Sequence, residues 1–157
     1  MKNHQSNKLD FQRIEENERA KYVSYLKLAD EEAIVRTYLN KGVLYGICSN
    51  EETIGVALFI EIDEHTIELK NLALKNAWRG KGLGKEIIAE CTFLFTQAGF
   101  KKMIVGTANS SIDNIAFYQK CGFRLSGVKK GFFAAYPTPI YENGIRALDM
   151  VMFEKEL

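Results

Sequence analysis

The sequence predicts an α+β fold, with about four helices packed on a mixed, mostly antiparallel twisted sheet of about six or seven strands. Three β-rich runs follow one another between residues 43 and 74 with two short polar breaks, which is typical of an antiparallel meander. A long amphipathic helix pattern then separates this meander from another apolar run at 101–108, and strand–helix–strand order predicts a parallel crossover. At 157 residues the chain has the length of one domain, so we expect a single domain over residues 1–157.

The first half of the chain supplies one strand, two helices and the meander. Residues 8–14 alternate as a short strand does, and apolar spacing predicts a helix over 17–28. A second helix is expected from Asp30 to about Asn40, with Asp30 as its N-cap and Gly42 close to its stop. The meander strands are expected at 43–49, 53–63 and 66–74.

The second half continues with two helices and three strands. Apolar side chains recur at helical spacing from Leu83 to Ala98, and Gly99 stands where a helix-ending glycine belongs. After the strand at 101–108, Ser110 with Asp113 three residues later predicts a capping box for a helix that ends before Gly122. Two last strands are expected within 123–133 and 144–156, which makes the element order β-α-α-β-β-β-α-β-α-β-β.

Composition excludes several classes of protein. A net charge of +1 and 46% hydrophobic residues are ordinary for a globular domain, and no apolar run approaches the roughly 20 residues of a membrane span. The polar N-terminus and three widely spaced cysteines favour a cytoplasmic location with reduced thiols. With two histidines and no C-x-x-C motif, we expect no metal site. We also expect neither a membrane nor a nucleic acid as partner. The basic residues Lys101, Lys102, Lys129 and Lys130 are not accompanied by a base-reading motif.

The turn at residues 79–85, RGKGLGK, carries the strongest chemical signal. Alternate glycines allow a ligand to approach the backbone, and the turn leads into a helix N-terminus, whose free N–H groups and dipole favour an anion. Arg79, Lys81 and Lys85 add positive charge, so the turn is predicted to bind a pyrophosphate. It is not a Walker loop, because Glu86 replaces Ser or Thr, and it is not a Rossmann fingerprint, because Lys85 stands where the third glycine is needed.

The charge distribution indicates two ligands of opposite sign. Residues 76–130 contain nine basic and three acidic side chains, whereas residues 41–75 contain three basic and six acidic ones. A basic region suits a polyanion, and an acidic region suits an ammonium group. Solvated surface charge would produce the same counts.

WRGKGLGKEII resembles the coenzyme-pyrophosphate signature of the GNAT family of N-acetyltransferases, Arg/Gln-x-x-Gly-x-Gly/Ala, here Arg79, Gly82 and Gly84. NLAL before it and AFYQKCGFR after the next strand also match the family, and the resemblance covers roughly residues 53–124. TANSSIDNIAFYQKCGF and PIYENGIRALDMV resemble a subgroup of small bacterial members. The resemblance implies an acetyl-CoA-dependent N-acetyltransferase that acts on a primary amine of a small molecule or peptide, by direct attack in a ternary complex.

The resemblance also implies a set of site residues. The Leu72 N–H would polarise the thioester carbonyl, Tyr118 would act as general acid, and Glu68 would act as general base, with Glu61, Glu142 and Asp149 as rival bases. The implied cosubstrate is acetyl-CoA. Its expected contacts are Leu72, Leu74, Arg79, Gly80, Lys81, Gly82, Leu83, Gly84, Lys85, Asn109, Ser111, Asn114 and Tyr118.

Some positions depart from the family pattern. Many members carry Asn seven residues before the helix tyrosine and Ala three residues after that Asn, where this sequence has Ser111 and Asn114. Asn109 or Ser111 is expected to substitute. The alternative function is a catalytically silent acyl-CoA-binding sensor or assembly module. A homodimer is also possible, since the aromatic residues at 132, 133, 136 and 141 could line either an acceptor pocket or a dimer seam.

Overall fold

The structure is a computed structural model that describes residues 8–157, and its main sheet has seven strands. Their order is β1-β2-β3-β4-β5-β9-β6, and β7 and β8 form a separate hairpin. The predicted α+β class and the mostly antiparallel sheet are confirmed. The strands are β1 (Leu9–Arg13), β2 (Val43–Ser49), β3 (Glu52–Glu61), β4 (Thr66–Leu74), β5 (Lys102–Ala108), β6 (Arg124–Lys129), β7 (Tyr141–Glu142), β8 (Ile145–Arg146) and β9 (Met150–Glu156). The α-helices are α1 (Val23–Leu26), α2 (Glu32–Tyr38), α3 (Leu83–Gln97) and α4 (Ile112–Lys120).

Contacts within the chain divide it into two compact units. The first unit contains the described chain up to Phe59 together with Asn71–Leu83. The second contains Ile60–Lys70 and Gly84–Leu157. Each unit is described by itself below.

In the first unit, β2 pairs antiparallel with both β1 and β3. The turn between β2 and β3 places Asn50 and Glu51 at φ values of 49° and 68°, the left-handed pair that a tight hairpin requires. The helix predicted over 17–28 is wrong in type, because the segment is a 3₁₀ helix over Glu16–Tyr22 followed by the single turn of α1. The side chains at the centre of this unit are fully buried; they include Leu26, Val35, Leu44, Ile47, Val56 and Phe59.

Side chains form hydrogen bonds with backbone groups at both ends of α2, and the sequence did not predict these bonds. Arg19 is 5% exposed and donates to the carbonyl oxygens of Leu39, Lys41 and Gly42, which follow the helix. The prediction that Asp30 is the N-cap is wrong, because that position belongs to Glu31. Asp30 instead accepts one hydrogen bond from the Glu31 N–H and another from the Tyr38 hydroxyl.

A buried amide links β4 to both helices of the first unit. Asn71 is 5% exposed, and its Nδ2 donates to the Leu26 carbonyl oxygen at 3.0 Å and to the Tyr38 hydroxyl at 2.9 Å. Burying a polar group is costly unless its hydrogen bonds are made. The Nδ2 of Asn71 is satisfied in this way, whereas its Oδ1 is buried with no partner among the described residues.

Replacing Asn71 with alanine is therefore expected to lower the free energy of unfolding by about 2 kcal/mol, since two buried bonds are lost. Urea denaturation followed by circular dichroism would measure the change. Asn76→Ala is the matched control, because Asn76 is exposed and should change stability by less than about 0.5 kcal/mol. Equal stability of the Asn71 variant and the wild type would contradict the assigned role.

In the second unit, β9 lies between β5 and β6 and pairs antiparallel with both. The last predicted strand, 144–156, is divided into β8 and β9. Between them, the backbone N–H groups of Leu148 and Asp149 donate to Asn109 Oδ1 and not to a neighbouring strand. The strand predicted within 123–133 ends at Lys129, and Gly131 follows at φ 71°. Buried residues at the centre of this unit are Ile87, Ile88, Met103, Val105 and Phe153.

The glycines predicted to end α3 and α4 do so. Gly99 has a φ of 97°. Its N–H donates to the Thr96 carbonyl oxygen, and the Phe100 N–H donates to the Phe95 carbonyl oxygen. This pair of bonds is the Schellman motif, and the two phenylalanine rings lie 5.8 Å apart across it. α4 ends in the same way at Gly122, with consequences for Tyr118 described below.

Candidate functional site

The glycine-rich turn before α3 is open to solvent. Gly80 and Gly82 have φ values of 72° and 77°, a conformation that other residues rarely adopt. A Cβ atom built at either position would meet no heavy atom within 4 Å. Both glycines are therefore required by the backbone conformation, and the surface in front of them is free to receive a ligand.

The turn also carries groups that attract negative charge. The amides that follow Gly82 belong to the first turn of α3, where N–H groups have no partner within the helix and the dipole end is positive. Arg79 is exposed, and its Nε donates to the Leu74 carbonyl oxygen at 3.1 Å. Lys81 Nζ lies 5.4 Å from the centre of the Trp78 ring. The amides and the two cations together fit a phosphate or pyrophosphate group.

Gly84 is required for a different reason, which is packing. It lies inside α3, and a Cβ atom there would approach Cζ of Phe117 to 2.9 Å. Such a contact is too short for a real side chain, so a larger residue at this position would require the Phe117 ring to move. Within the second unit, the first turn of α3 therefore packs against Phe117, which directly precedes Tyr118 in α4.

Tyr118 is held rigidly within α4. Its carbonyl oxygen accepts the Phe123 N–H at 3.0 Å, and the Gly122 N–H bonds to the Gln119 carbonyl oxygen, which completes a Schellman motif. Its ring lies 5.7 Å from that of Phe123 and 6.0 Å from that of Phe153. These contacts orient the ring and bury it to 8% exposure.

The hydroxyl of Tyr118 is kept protonated. Burial raises its pKa above the ordinary tyrosine value. Within residues 8–157 the structure gives this hydroxyl no hydrogen-bond partner. A neutral, oriented O–H group that is not already engaged is suited to donate a proton to a ligand.

The side chains of β4 alternate as predicted. Glu68, Leu72 and Leu74 are half-buried, whereas the intervening Ile67 and Leu69 are buried on the other face. The parallel pairing of β4 with β5 covers residues 66–69, and Leu72 and Leu74 lie beyond it along the strand. The carboxylate of Glu68 forms no ion pair within the part of the chain that the structure describes.

The rival bases have different surroundings. Glu61 is exposed at the end of β3. Asp149 Oδ1 accepts the N–H of Gly131 at 2.8 Å. Glu142 accepts the hydroxyl of Ser111 at 2.8 Å and that of Ser110 at 3.2 Å. Glu142 and Asp149 thus have structural partners.

The polar residues between β5 and α4 bond to the chain segment that follows β6. Asn109 donates through Nδ2 to the Arg146 carbonyl oxygen at 3.1 Å. The predicted capping box of Ser110 and Asp113 is wrong, because the N-cap position of α4 belongs to Ser111, whose side chain makes no capping bond. Both hydroxyls bond to Glu142 instead. Asn114 Nδ2 lies 3.4 Å from the Thr107 hydroxyl.

Comparison with known proteins decides the family. The model of the Acetyltransferase (GNAT) family matches residues 9–123. The chain belongs to the GNAT family of acetyltransferases. Among its relatives, the protein named Uncharacterized N-acetyltransferase YvbK of Bacillus subtilis is 36% identical over 134 residues, which are 84% of this chain and 86% of the relative. The predicted family and enzyme class are confirmed.

Two solved acetyltransferase structures are closely similar to this chain. An acetyltransferase of Elizabethkingia anophelis with acetyl-CoA bound has a TM-score of 0.89 and 33% identity, and the match covers 98% of this chain and 100% of that one. A Bacillus subtilis acetyltransferase in complex with CoA has a TM-score of 0.86 and 34% identity, over 96% and 99% of the two chains. The predicted cosubstrate, acetyl-CoA, agrees with the acetyl-CoA bound by the first of these proteins and the CoA bound by the second.

Within residues 8–157 of this GNAT acetyltransferase, none of the helices is long and apolar enough to cross a membrane. In the same part of the chain, the His, Cys, Asp and Glu side chains form no group of three or more that could hold a metal ion.

Alkaline conditions are expected to destabilise this GNAT acetyltransferase. Burial raises the pKa of the Cys91 thiol to about 12, and it also raises the pKa values of Tyr38 and Tyr118. A group whose pKa is raised on folding stabilises the fold at pH values below its unfolded pKa, and that contribution is lost as the pH rises toward its folded pKa. The free energy of unfolding should therefore fall once the pH exceeds about 8.5, the unfolded value for a thiol.

Urea denaturation at a series of pH values between neutrality and pH 11 would measure this slope. Cys91→Ala should make the slope less steep, because it removes one buried thiol that must stay neutral, while Cys121 and the two tyrosines remain. A pH-independent stability over this range would contradict the prediction.

Proposed function

We propose that the protein transfers an acetyl group from acetyl-CoA to a primary amine of a small molecule or peptide, by direct attack in a ternary complex. The single observation that carries the proposal is the open turn of residues 80–85, where left-handed glycines and the first amides of α3 form a site for a pyrophosphate.

Several groups of the chain would hold the coenzyme. The amides of residues 80–85 and the side chains of Arg79, Lys81 and Lys85 would bind its phosphates, and the backbone of Leu72 and Leu74, which lie beyond the β4–β5 pairing, would contact its pantetheine arm. When bound, acetyl-CoA supplies the acetyl group as a thioester, so that an amide N–C bond forms as the C–S bond breaks.

Three groups are assigned to the chemistry. The Leu72 N–H would donate to the carbonyl oxygen, on which negative charge develops, and one such donor contributes roughly 3 kcal/mol to lowering a barrier. Glu68 would accept the proton that the attacking amine must lose. The Tyr118 hydroxyl, kept neutral by burial, would donate a proton to the leaving sulfur.

Glu68 is preferred over Glu142 and Asp149 as the base. Both rivals accept hydrogen bonds that hold the chain, whereas Glu68 is half-buried on β4 without an ion pair in the described residues. Asn109 and Ser111 remain proposed coenzyme contacts. Asn114 is exposed, and its amide makes only a long bond to Thr107, so it retains donors for a ligand.

The test is acetyl transfer to a panel of amines by the full chain, with thiol release as the rate signal and product mass as proof of N-acetylation. We expect release that depends on the amine. If acetyl-CoA raises the melting temperature but no amine in the panel releases thiol, the silent acyl-CoA sensor is the better description. If acetyl-CoA has no effect on the melting temperature, the assignment of the turn is wrong.

The proposal also includes the cellular location and the oligomeric state of the protein. The three cysteines Cys48, Cys91 and Cys121 are free and buried, which suits a reducing cytoplasm. Light scattering on the same preparation would test whether the protein forms a homodimer.

A further inference from the structure

The last residues of β4 are held closely against β3, within the first unit. A Cβ atom built at Gly55 of β3 would overlap the Ala73 carbonyl oxygen and would approach Leu74 Cδ2 to 2.8 Å. The Lys75 N–H donates to the Ile54 carbonyl oxygen at 2.9 Å. A side chain at position 55 would therefore push the backbone of β4 out of its place, so glycine is needed here.

Pairing with β5 does not hold this part of β4. The parallel pairing ends at Leu69, and Leu72 lies beyond it. The Leu72 N–H is the group that the proposed function assigns to the thioester carbonyl. Such a donor is effective only if it is fixed, before the reaction begins, where the negative charge will develop. The peptide unit of Leu72 must therefore be held by other contacts.

Asn71 supplies such contacts from the side of the helices. Its Cα atom and carbonyl group share one planar peptide unit with the Leu72 N–H, so the direction of that N–H follows the position of Asn71. The Asn71 Nδ2 atom donates to the Leu26 carbonyl oxygen, at the end of α1, and to the Tyr38 hydroxyl in α2. The Tyr38 hydroxyl in turn donates to Asp30. These bonds tie the backbone at Asn71 to both helices of the first unit.

An amide is an unexpected side chain on the buried face of β4. Ala73, the next residue on this face, is buried and apolar, and Asn71 itself is 5% exposed. The Asn71 Oδ1 atom is buried with no partner among residues 8–157, which is unfavourable in such surroundings. A residue that conflicts with its surroundings is typical of a functional position, and here the function would be to fix the strand.

We propose that Asn71 is a positioning residue for acetyl transfer: it fixes the peptide unit of Leu72 so that the Leu72 N–H donates to the thioester carbonyl of bound acetyl-CoA. The inference rests on the proposed function, which assigns this N–H to the carbonyl. Asn71 acts only through Leu72, because its own side chain is buried and bonded to α1 and α2.

Infrared spectroscopy of bound acetyl-CoA, labelled with a heavy carbon isotope at the thioester carbonyl, tests this role. A hydrogen bond to a carbonyl group lowers its stretching frequency, so we expect a lower frequency in the wild-type complex than in free acetyl-CoA. Asn71→Ala should move the frequency back toward that of the free coenzyme. In the same variant kcat should fall by about tenfold or more, because the donor is no longer held in place. The KM for acetyl-CoA should stay within about twofold, since the turn of residues 80–85 is not altered.

Two further variants make the test specific. Leu44→Ala is the matched control for lost stability, because it truncates a fully buried side chain of β2, a strand that does not pair with β4. It should keep the wild-type carbonyl frequency and kcat. Tyr38→Phe removes one of the two acceptors of Asn71 Nδ2 and leaves the other, so it should change the frequency and kcat in the same direction as Asn71→Ala, but less.

A wild-type carbonyl frequency in Asn71→Ala would overturn the inference; if that variant does not fold, the same result in Tyr38→Phe would do so. An equal change in Leu44→Ala would also overturn it, because Asn71 would then act only on stability. The spectra need no amine, which separates this inference from the proposed function. A lowered frequency that Asn71→Ala restores, without transfer to any amine, would support the positioning role and leave the silent sensor as the function. An unshifted carbonyl in the wild type would overturn the inference even if amines were acetylated.

Discussion

Replacing Tyr118 with phenylalanine is expected to lower kcat by about 10²–10⁴-fold, the range that a general acid contributes. The substitution removes only the hydroxyl, and burial keeps that hydroxyl protonated in the wild type. Without it, the leaving sulfur would have to take its proton from water. The measurement is the single-turnover rate of acetyl transfer at saturating acetyl-CoA and amine.

The variant should remain folded, so that a lower kcat reports the loss of the hydroxyl and not the loss of the fold. The ring contacts with Phe123 and Phe153 and the backbone bonds that end α4 do not involve the hydroxyl. Stability should therefore change by less than about 0.5 kcal/mol. Tyr22→Phe, in the 3₁₀ helix of the first unit, is the control and should keep the wild-type kcat. A wild-type kcat in the Tyr118 variant would show that this residue only fills the core.

Replacing Gly82 with aspartate is expected to weaken acetyl-CoA binding at least tenfold, which corresponds to about 1.4 kcal/mol. The new carboxylate would stand in the open space in front of Gly82, where the turn and the dipole of α3 favour the negative charge of a phosphate. Like charges at that distance repel, and the side chain would also occupy the space of the ligand. Titration calorimetry with acetyl-CoA would measure the loss.

Two further variants separate charge from backbone strain. Gly82→Asn has the same shape as the aspartate variant without its charge, so it should bind acetyl-CoA more tightly than Gly82→Asp. Gly99→Asp places the same residue at another left-handed glycine, φ 97°, with no atom within 4 Å of its Cβ position. It should lower stability by roughly 1 kcal/mol and leave binding unchanged. Unaltered affinity in Gly82→Asp would place the phosphates elsewhere.

Elements with a clear local pattern were predicted well. β4 was predicted over 66–74 and occupies Thr66–Leu74, and α3 begins at Leu83, directly after the glycine turn. Their patterns are strong because alternation and helical spacing arise from the backbone of each element alone. The helix over 17–28 was predicted in the wrong form, because Glu16–Tyr22 is a 3₁₀ helix. Its buried Arg19 donates to carbonyl oxygens that follow α2, a long-range contact that local spacing does not show.

The candidate site shows the same division. The glycine turn could be read from residues 79–85, because a left-handed backbone demands glycine wherever it occurs. The hydrogen-bond partner of Ser110 and Ser111 could not be predicted from the sequence, because Glu142 lies about thirty residues away. The two hydroxyls donate to this charged acceptor instead of making local capping bonds. Nothing in the spacing of these residues signals that exchange.

The sequence by itself determined the family, the order of the elements and the glycine turn that we propose binds an anion, because each of these depends on residues that are neighbours along the chain. Tertiary structure decided which polar side chains are free for a ligand and which are engaged: Asn109 and Glu142 hold the segment after β6, while the Tyr118 hydroxyl has no partner in the described residues. The physical reason is that a buried polar group takes the best partner that the fold brings within reach, whatever its distance in sequence.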